Sequence, residues 1–149
     1  MDKEGTFPQA DDFSKIEALI DIENEETLND IDKLKQVLGN ISNRQISYYI
    51  SAATFIGIIE IKDKMKYFSK EIKKARESNS VMKTAVLISL ILRSPVFSKV
   101  FTYTRLFGKQ DAEDVKGAIK EFYPNYSEAI YKRRSQTVVS WINWINKII

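Results

Sequence analysis

"ISNRQISYYISAATFIGIIEIKDKMKYFS", residues 41–69, places a helical pattern and a strand pattern back to back. Ser42 or Asn43 supplies a side-chain oxygen that can cap the first turn of a helix. From there Ile46, Ile50 and Ala53 recur at three- and four-residue steps, which marks one face for burial, and the helix runs to about Phe55. Gly57 ends it. The opposite face carries Arg44, Gln45, Ser47 and Tyr48, polar groups turned to solvent. Two short β-prone runs follow, residues 58–62 and 65–68, joined by Asp63 and Lys64. Two residues between two such runs predict a small β-hairpin.

Upstream, residues 23–40, "ENEETLNDIDKLKQVLGN", put Leu28, Ile31, Leu34, Val37 and Leu38 on one helical stripe that stops at Gly39. Two helices thus meet across a turn of about four residues, a helix-turn-helix arrangement. A helix pair followed at once by a basic hairpin is the element order of a winged helix. Further upstream, Phe13, Ile16, Leu19 and Ile20 predict a short helix with Ser14 as its cap, and "MDKEGTFPQADDF" is expected to be a loose N-terminal arm.

Downstream, Ser69 caps "KEIKKARES", and residues 78–80 break the chain before the apolar "VMKTAVLISLILRS". Ser94-Pro95 starts "VFSKVFTYTRLFG", which Gly108 closes; Asp111 and Asp114 begin "AEDVKGAIKEF", which ends before Pro124. The last helix starts at cap Ser127 with Ile130, Val138, Trp141, Ile142 and Ile145 inward. A helix, a turn and a longer helix ending in bulky apolar residues repeat the earlier order. Setting Ile41 on Ile130 places Arg44 on Arg133, Phe55 on Trp144 and Ile56 on Ile145, a weak internal duplication. The expected organisation is an acidic arm and short helix over 1–24, a winged helix-turn-helix over 25–77, and a second helical helix-turn-helix unit over 80–149 packed on the first. The fold class is mainly α with a small β-hairpin wing.

The 149 residues are 44% hydrophobic, sufficient for a core, and include neither cysteine nor histidine. Disulfides, thiolate or imidazole catalysis and most zinc sites are thereby excluded. No apolar run approaches the length of a membrane span and no leader pattern is present, so the chain is expected to be cytoplasmic with no membrane partner. The net charge of +3 conceals a split: residues 1–32 hold eleven acids against two lysines, and residues 33–149 hold twenty-one bases against nine acids. A body this basic favours a polyanionic partner. The acidic segment is expected to pack a helix onto that body and partly screen it.

The candidate binding residues follow from these placements. Asn43, Arg44, Gln45, Ser47, Tyr48 and Ser51 form the outward face of the second helix of the pair. Arg can fork onto guanine, Gln onto adenine, and hydroxyls onto phosphates or base edges. Lys62, Lys64 and Lys66 on the hairpin, continued by Lys70, Lys73, Lys74 and Arg76, would track phosphates. Lys132, Arg133, Arg134 and Gln136 lie near the start of the last helix, where dipole and side chains both favour phosphate. Trp141 and Trp144 suit packing better than base stacking. Glu60-Ile61-Lys62 and Glu71-Ile72-Lys73 could suggest Mg²⁺-dependent cleavage, but that chemistry needs another acidic ligand on an adjoining strand. No catalytic set, metal site or cofactor is expected.

On "RQISYYISAATFIGIIE" running into its hairpin and on the closing "KRRSQTVVSWINWI", the chain resembles the tandem winged-helix modules that accompany bacterial restriction endonucleases and related defence proteins. The resemblance spans most of residues 25–149. It implies a non-enzymatic, sequence-specific double-stranded DNA-binding module, with cleavage in a separate nuclease domain or subunit, and implies Arg44, Gln45, Tyr48, Arg133 and Arg134 as contacts. A homodimer is left open. The alternatives are a winged-helix transcriptional regulator and a protein-interaction adaptor without a DNA role.

Overall fold

The computed structural model describes residues 7–149: eight helices and one two-stranded antiparallel sheet among those residues. Helix α1 is Phe13–Ile20; a 3-10 turn, Glu25–Asn29, leads to α2, Ile31–Val37, and α3, Asn43–Phe55. The strands β1, Ile59–Lys62, and β2, Met65–Phe68, precede α4, Lys70–Arg76. Then come α5, Ser80–Leu92; α6, Pro95–Phe107; α7, Ala112–Phe122; and α8, Glu128–Ile148. The chain is therefore mainly α with a small hairpin, as its patterning predicts.

Cap chemistry fixes α3 at both ends. The Ser42 hydroxyl accepts from the Gln45 backbone N–H. At the other end Gly57, at φ +89°, lets its own N–H reach the Thr54 carbonyl and the Ile58 N–H reach that of Ala53. Gly39, at φ +83°, closes α2 in the same way, with Asn40 N–H on the Lys35 carbonyl at 2.7 Å. These are the paired bonds of a Schellman motif, which need a left-handed residue at that position.

The hairpin pairs Ile59 with Phe68 and Lys62 with Met65 around a two-residue turn in which Asp63 and Lys64 both have positive φ, +50° and +68°. Positive φ at both central residues matches a type I′ turn, whose twist suits the flanking strands. The outer edge of β2 is covered by side chains of the 3-10 turn. The Asn29 amide bonds both the N–H and the carbonyl of Lys66, and a Glu25 carboxylate oxygen accepts from Phe68 N–H at 2.8 Å. An edge so occupied is closed to further strand pairing.

Three expectations need correction. Residues 23–40 are not one helix: Asp30 adopts an extended backbone and its carboxylate accepts from Asp32 and Lys33 N–H, so local capping restarts the chain there. Leu28, Leu34 and Leu38 are buried, but Ile31 faces solvent. Helix α1 is capped by Asp12, not Ser14. The arm is not loose from Phe7 onward, residues 1–6 lying outside the described part. Phe7 is 1% exposed. Its ring lies 5.5 Å from Phe55, 5.7 Å from Phe97 and 5.1 Å from Tyr123. Trp141 Nε1–H donates to the Ala10 carbonyl at 2.7 Å and the Ser140 hydroxyl to that of Asp11. Residues 7–12 are a strap sewn onto α8.

One core runs through both halves. Trp141 is buried, its ring stacked on Phe97 at 4.9 Å and edge-on to Phe13 at 5.1 Å. Trp144, half-buried, donates from Nε1 to Glu17 at 3.0 Å. Both tryptophans are packing residues. The internal duplication is out of register, since its alignment does not superpose the caps Ser42 and Ser127 and differs by about one helical turn. Among the described residues no single helix is long and apolar enough to cross a membrane.

Candidate nucleic-acid interface

Burial sorts the residues of α3 cleanly. Ile46, Tyr49, Ile50, Ala52 and Ala53 face inward. The Tyr49 hydroxyl accepts from Asp12 N–H at 3.0 Å, and burial, opposed by that bond, raises its pKa above the ordinary phenol value. Asn43, Arg44, Gln45, Ser47 and Ser51 are exposed and Tyr48 is half-buried. Arg44 Nε–H donates to the Tyr48 hydroxyl at 2.7 Å, and its guanidinium lies 5.6 Å from the ring centroid. This i, i+4 pair ties the exposed guanidinium to the Tyr48 side chain.

The hairpin stands behind this face. Lys62 and Lys64 are exposed, and Lys66 is half-buried with its backbone held by Asn29. Lys62 is 3.7 Å from Glu60, an exposed pair that neutralises the Glu60-Ile61-Lys62 tripeptide without gathering a metal site. The described residues hold no group of three or more acidic side chains able to bind a metal ion. Among the described residues no ion pair engages Arg44, Lys64 or Lys66.

Other predicted cations are spent on the fold. Arg76 donates from Nε to the Ile20 carbonyl and from Nη2 to those of Ile22 and Glu23, and its guanidinium stacks 4.2 Å from the Phe68 ring. It satisfies the carbonyls at and beyond the end of α1, where the helix leaves them without partners. Lys73 lies 3.6 Å from Glu25 and Lys83 lies 3.4 Å from Asp21, so the acidic segment is engaged with individual bases.

The α8 quartet divides. Lys132 and Gln136 are exposed. Arg134 is 5% exposed and packs over the Tyr126 ring at 4.6 Å, so it is a packing residue and not an available contact. Arg133 is half-buried and ion-paired to Asp11 at 2.8 Å, an acceptor that Thr137 shares at 2.7 Å. Neither arginine has the exposed geometry the sequence suggested. The helix begins at Glu128, so Lys132 lies beyond the first turn, where the free N–H groups and most of the dipole effect reside.

One feature of this face escaped the sequence reading. An apolar groove of about 360 Å³ lies between α2, α3 and the hairpin, with Ile31, Leu34, Ile46, Ile50, Phe55 and Ile61 in its lining. Ser47, Ser51 and Lys66 also line it. The available signal was Ile61, two residues after the buried Ile59 and so on the same strand face, yet past the point where the body covers it.

A family model described as a domain of unknown function (DUF7226) matches residues 16–149. No curated protein and no solved structure matches the chain.

Proposed function

We propose that this chain, which belongs to the DUF7226 family, is a non-enzymatic module that binds double-stranded DNA in a sequence-dependent manner. The observation that carries this reading is the outward face of α3, with Arg44 held by Tyr48 beside Gln45, Ser47 and Ser51, directly followed by a lysine-tipped hairpin. A helix so placed fits the major groove. Arg44 addresses guanine through its terminal nitrogens, Gln45 addresses adenine, and Lys62 and Lys64 meet the phosphates beside the groove. Lys64 stands at the tip of the hairpin, exposed and at φ +68°, a conformation that a glycine adopts without strain. The finer proposal places the module in DNA recognition for a restriction-modification or defence system with cleavage elsewhere; regulation of transcription is the alternative setting.

The apolar groove favours a second reading, a protein-interaction adaptor that uses the same elements. Titrating a mixed-sequence duplex between 50 and 300 mM salt separates the two. If four or five phosphates are neutralised, the logarithmic slope is about −4 and affinity falls about 10³-fold over that range. Arg44→Ala and Gln45→Ala should lower discrimination between duplexes, whereas Lys64→Ala should weaken all duplexes alike. A slope near zero, with no effect of these changes, would leave the adaptor reading in possession.

A further inference from the structure

The end of α6 leaves large apolar side chains in water. Val96, Phe97 and Val100 lie on the core-facing side of this helix and are buried. Phe107 is seven residues beyond Val100, close to two turns, and so projects on the same side. It is nevertheless 72% exposed. The helix carries its apolar stripe past the edge of the body, where the Tyr103 ring at 5.7 Å is its neighbour. Leu106, 68% exposed, widens the uncovered surface. With Tyr103 the three residues leave roughly 400 Å² in water, most of it apolar, a patch comparable to the largest on an ordinary monomer, which is often functional.

Immediately beside this projection lies a cavity of about 660 Å³, whose apolar lining includes Val100, Val115, Val139 and Ile142, with Asn143 at its exposed side. A knob and a hollow that adjoin on one surface are what a two-fold axis requires, because each copy must offer both halves of the contact. The charges follow the same arrangement. Arg105 and Lys109 flank the knob, while Asp111 and Asp114 stand at the start of α7, all exposed. Among the described residues none of these four enters an ion pair. Exposed charges of both signs beside one apolar patch suit a self-complementary contact.

We propose that a second copy of this chain covers the end of α6, with Phe107 and Leu106 of each protomer seated in the hollow between α6, α7 and α8 of its partner. The exposed trio supplies nearly half of the about 800 Å² per partner found in standard interfaces. The walls of the hollow add less than that, so the contact falls at the small, weakly associating end of interface sizes. This contact does not depend on the DNA reading, since it is made by elements other than α3 and the hairpin.

Sedimentation equilibrium of the full chain without DNA tests it. The 17.2 kDa chain should approach twice its mass as concentration rises into the micromolar range and then plateau. Phe107→Asp should raise the dissociation constant at least 30-fold, with an unchanged helical circular dichroism spectrum because the side chain is solvent-exposed. Asn143→Arg, at the opposite half of the contact, should have the same effect without altering the knob. A chain that remains monomeric at 200 µM would overturn the proposal, as would a dimer indifferent to both substitutions. Growth beyond two copies without a plateau would show head-to-tail association and overturn the two-fold contact. Monomers whose Phe107→Asp variant alone loses binding to phosphatidylglycerol vesicles would assign the patch to a lipid surface and overturn it as well.

Discussion

Phe7→Ala tests whether the strap of residues 7–12 is structural. The ring is 1% exposed and meets Phe55 of α3, Phe97 of α6 and Tyr123 after α7 at centroid distances of 5.1–5.7 Å. Burial of about 200 Å² of aromatic surface at about 25 cal/mol per Å² contributes about 5 kcal/mol as an upper value. Truncation of a buried Phe costs about 3–5 kcal/mol when the surrounding rings cannot collapse into the space. Three neighbours drawn from separate elements have little freedom to do so. For a chain of this size, about 4 kcal/mol lowers the melting temperature by about 8–16 °C. Urea unfolding followed by circular dichroism at 222 nm measures the loss, and a coincident Trp fluorescence transition checks that unfolding is two-state. A loss below about 1 kcal/mol would refute the reasoning, since the strap would then lie on the surface of a core complete without it.

Lys64→Gly should have opposite effects on stability and binding. Relief of the left-handed backbone at φ +68° should stabilise the hairpin by about 1 kcal/mol, seen as a higher urea midpoint, while duplex affinity falls through loss of a phosphate contact. Equal or lower stability would show that the turn is unstrained. For Glu17, burial raises the carboxyl pKa above 4.5, the Trp144 bond opposes this, and Asp21 and Asp12 add to the rise. The folded form therefore holds the proton more tightly than the unfolded chain, and the contribution present below 4.5 is lost as pH rises through the raised folded value. Glu17→Gln retains an acceptor for Trp144, so its stability relative to the parent should climb across that interval in urea midpoints taken at successive pH values. A difference that stays flat with pH would refute the assignment.

The candidate site was legible in part because its residues answer to local rules. The outward set of α3 follows from three- and four-residue spacing, and exposure of Arg44, Gln45, Ser47 and Ser51 agrees with it. Arg133 and Arg134 were misplaced for a reason that no local rule contains. On sequence they are two more cations on an amphipathic helix, but Arg133 meets Asp11 across 122 positions and Arg134 lies against Tyr126. Arg76 fails in the same way, its carbonyl partners lying 53 to 56 positions away. A charged side chain is exposed unless something covers it, and what covers it is decided by distant segments.

By itself the sequence determined most of the elements: Ser42, Ser69 and Ser127 each cap the helix expected of them, glycines at positive φ close α2 and α3, and the two-residue turn sets the hairpin register. Those choices are made by bonds reaching at most a few residues along the chain, so adjacent side chains suffice to specify them. Only the tertiary structure decided that the N-terminal strap is part of the core, that Ile31 and Ile61 border an open groove, and that the α6 stripe outruns the body at Phe107. Each of these depends on where one element stops covering another. Hydrophobic burial is proportional to covered area and indifferent to direction, so the periodicity of an apolar stripe shows which side seeks cover, while its length of cover is set by the neighbours.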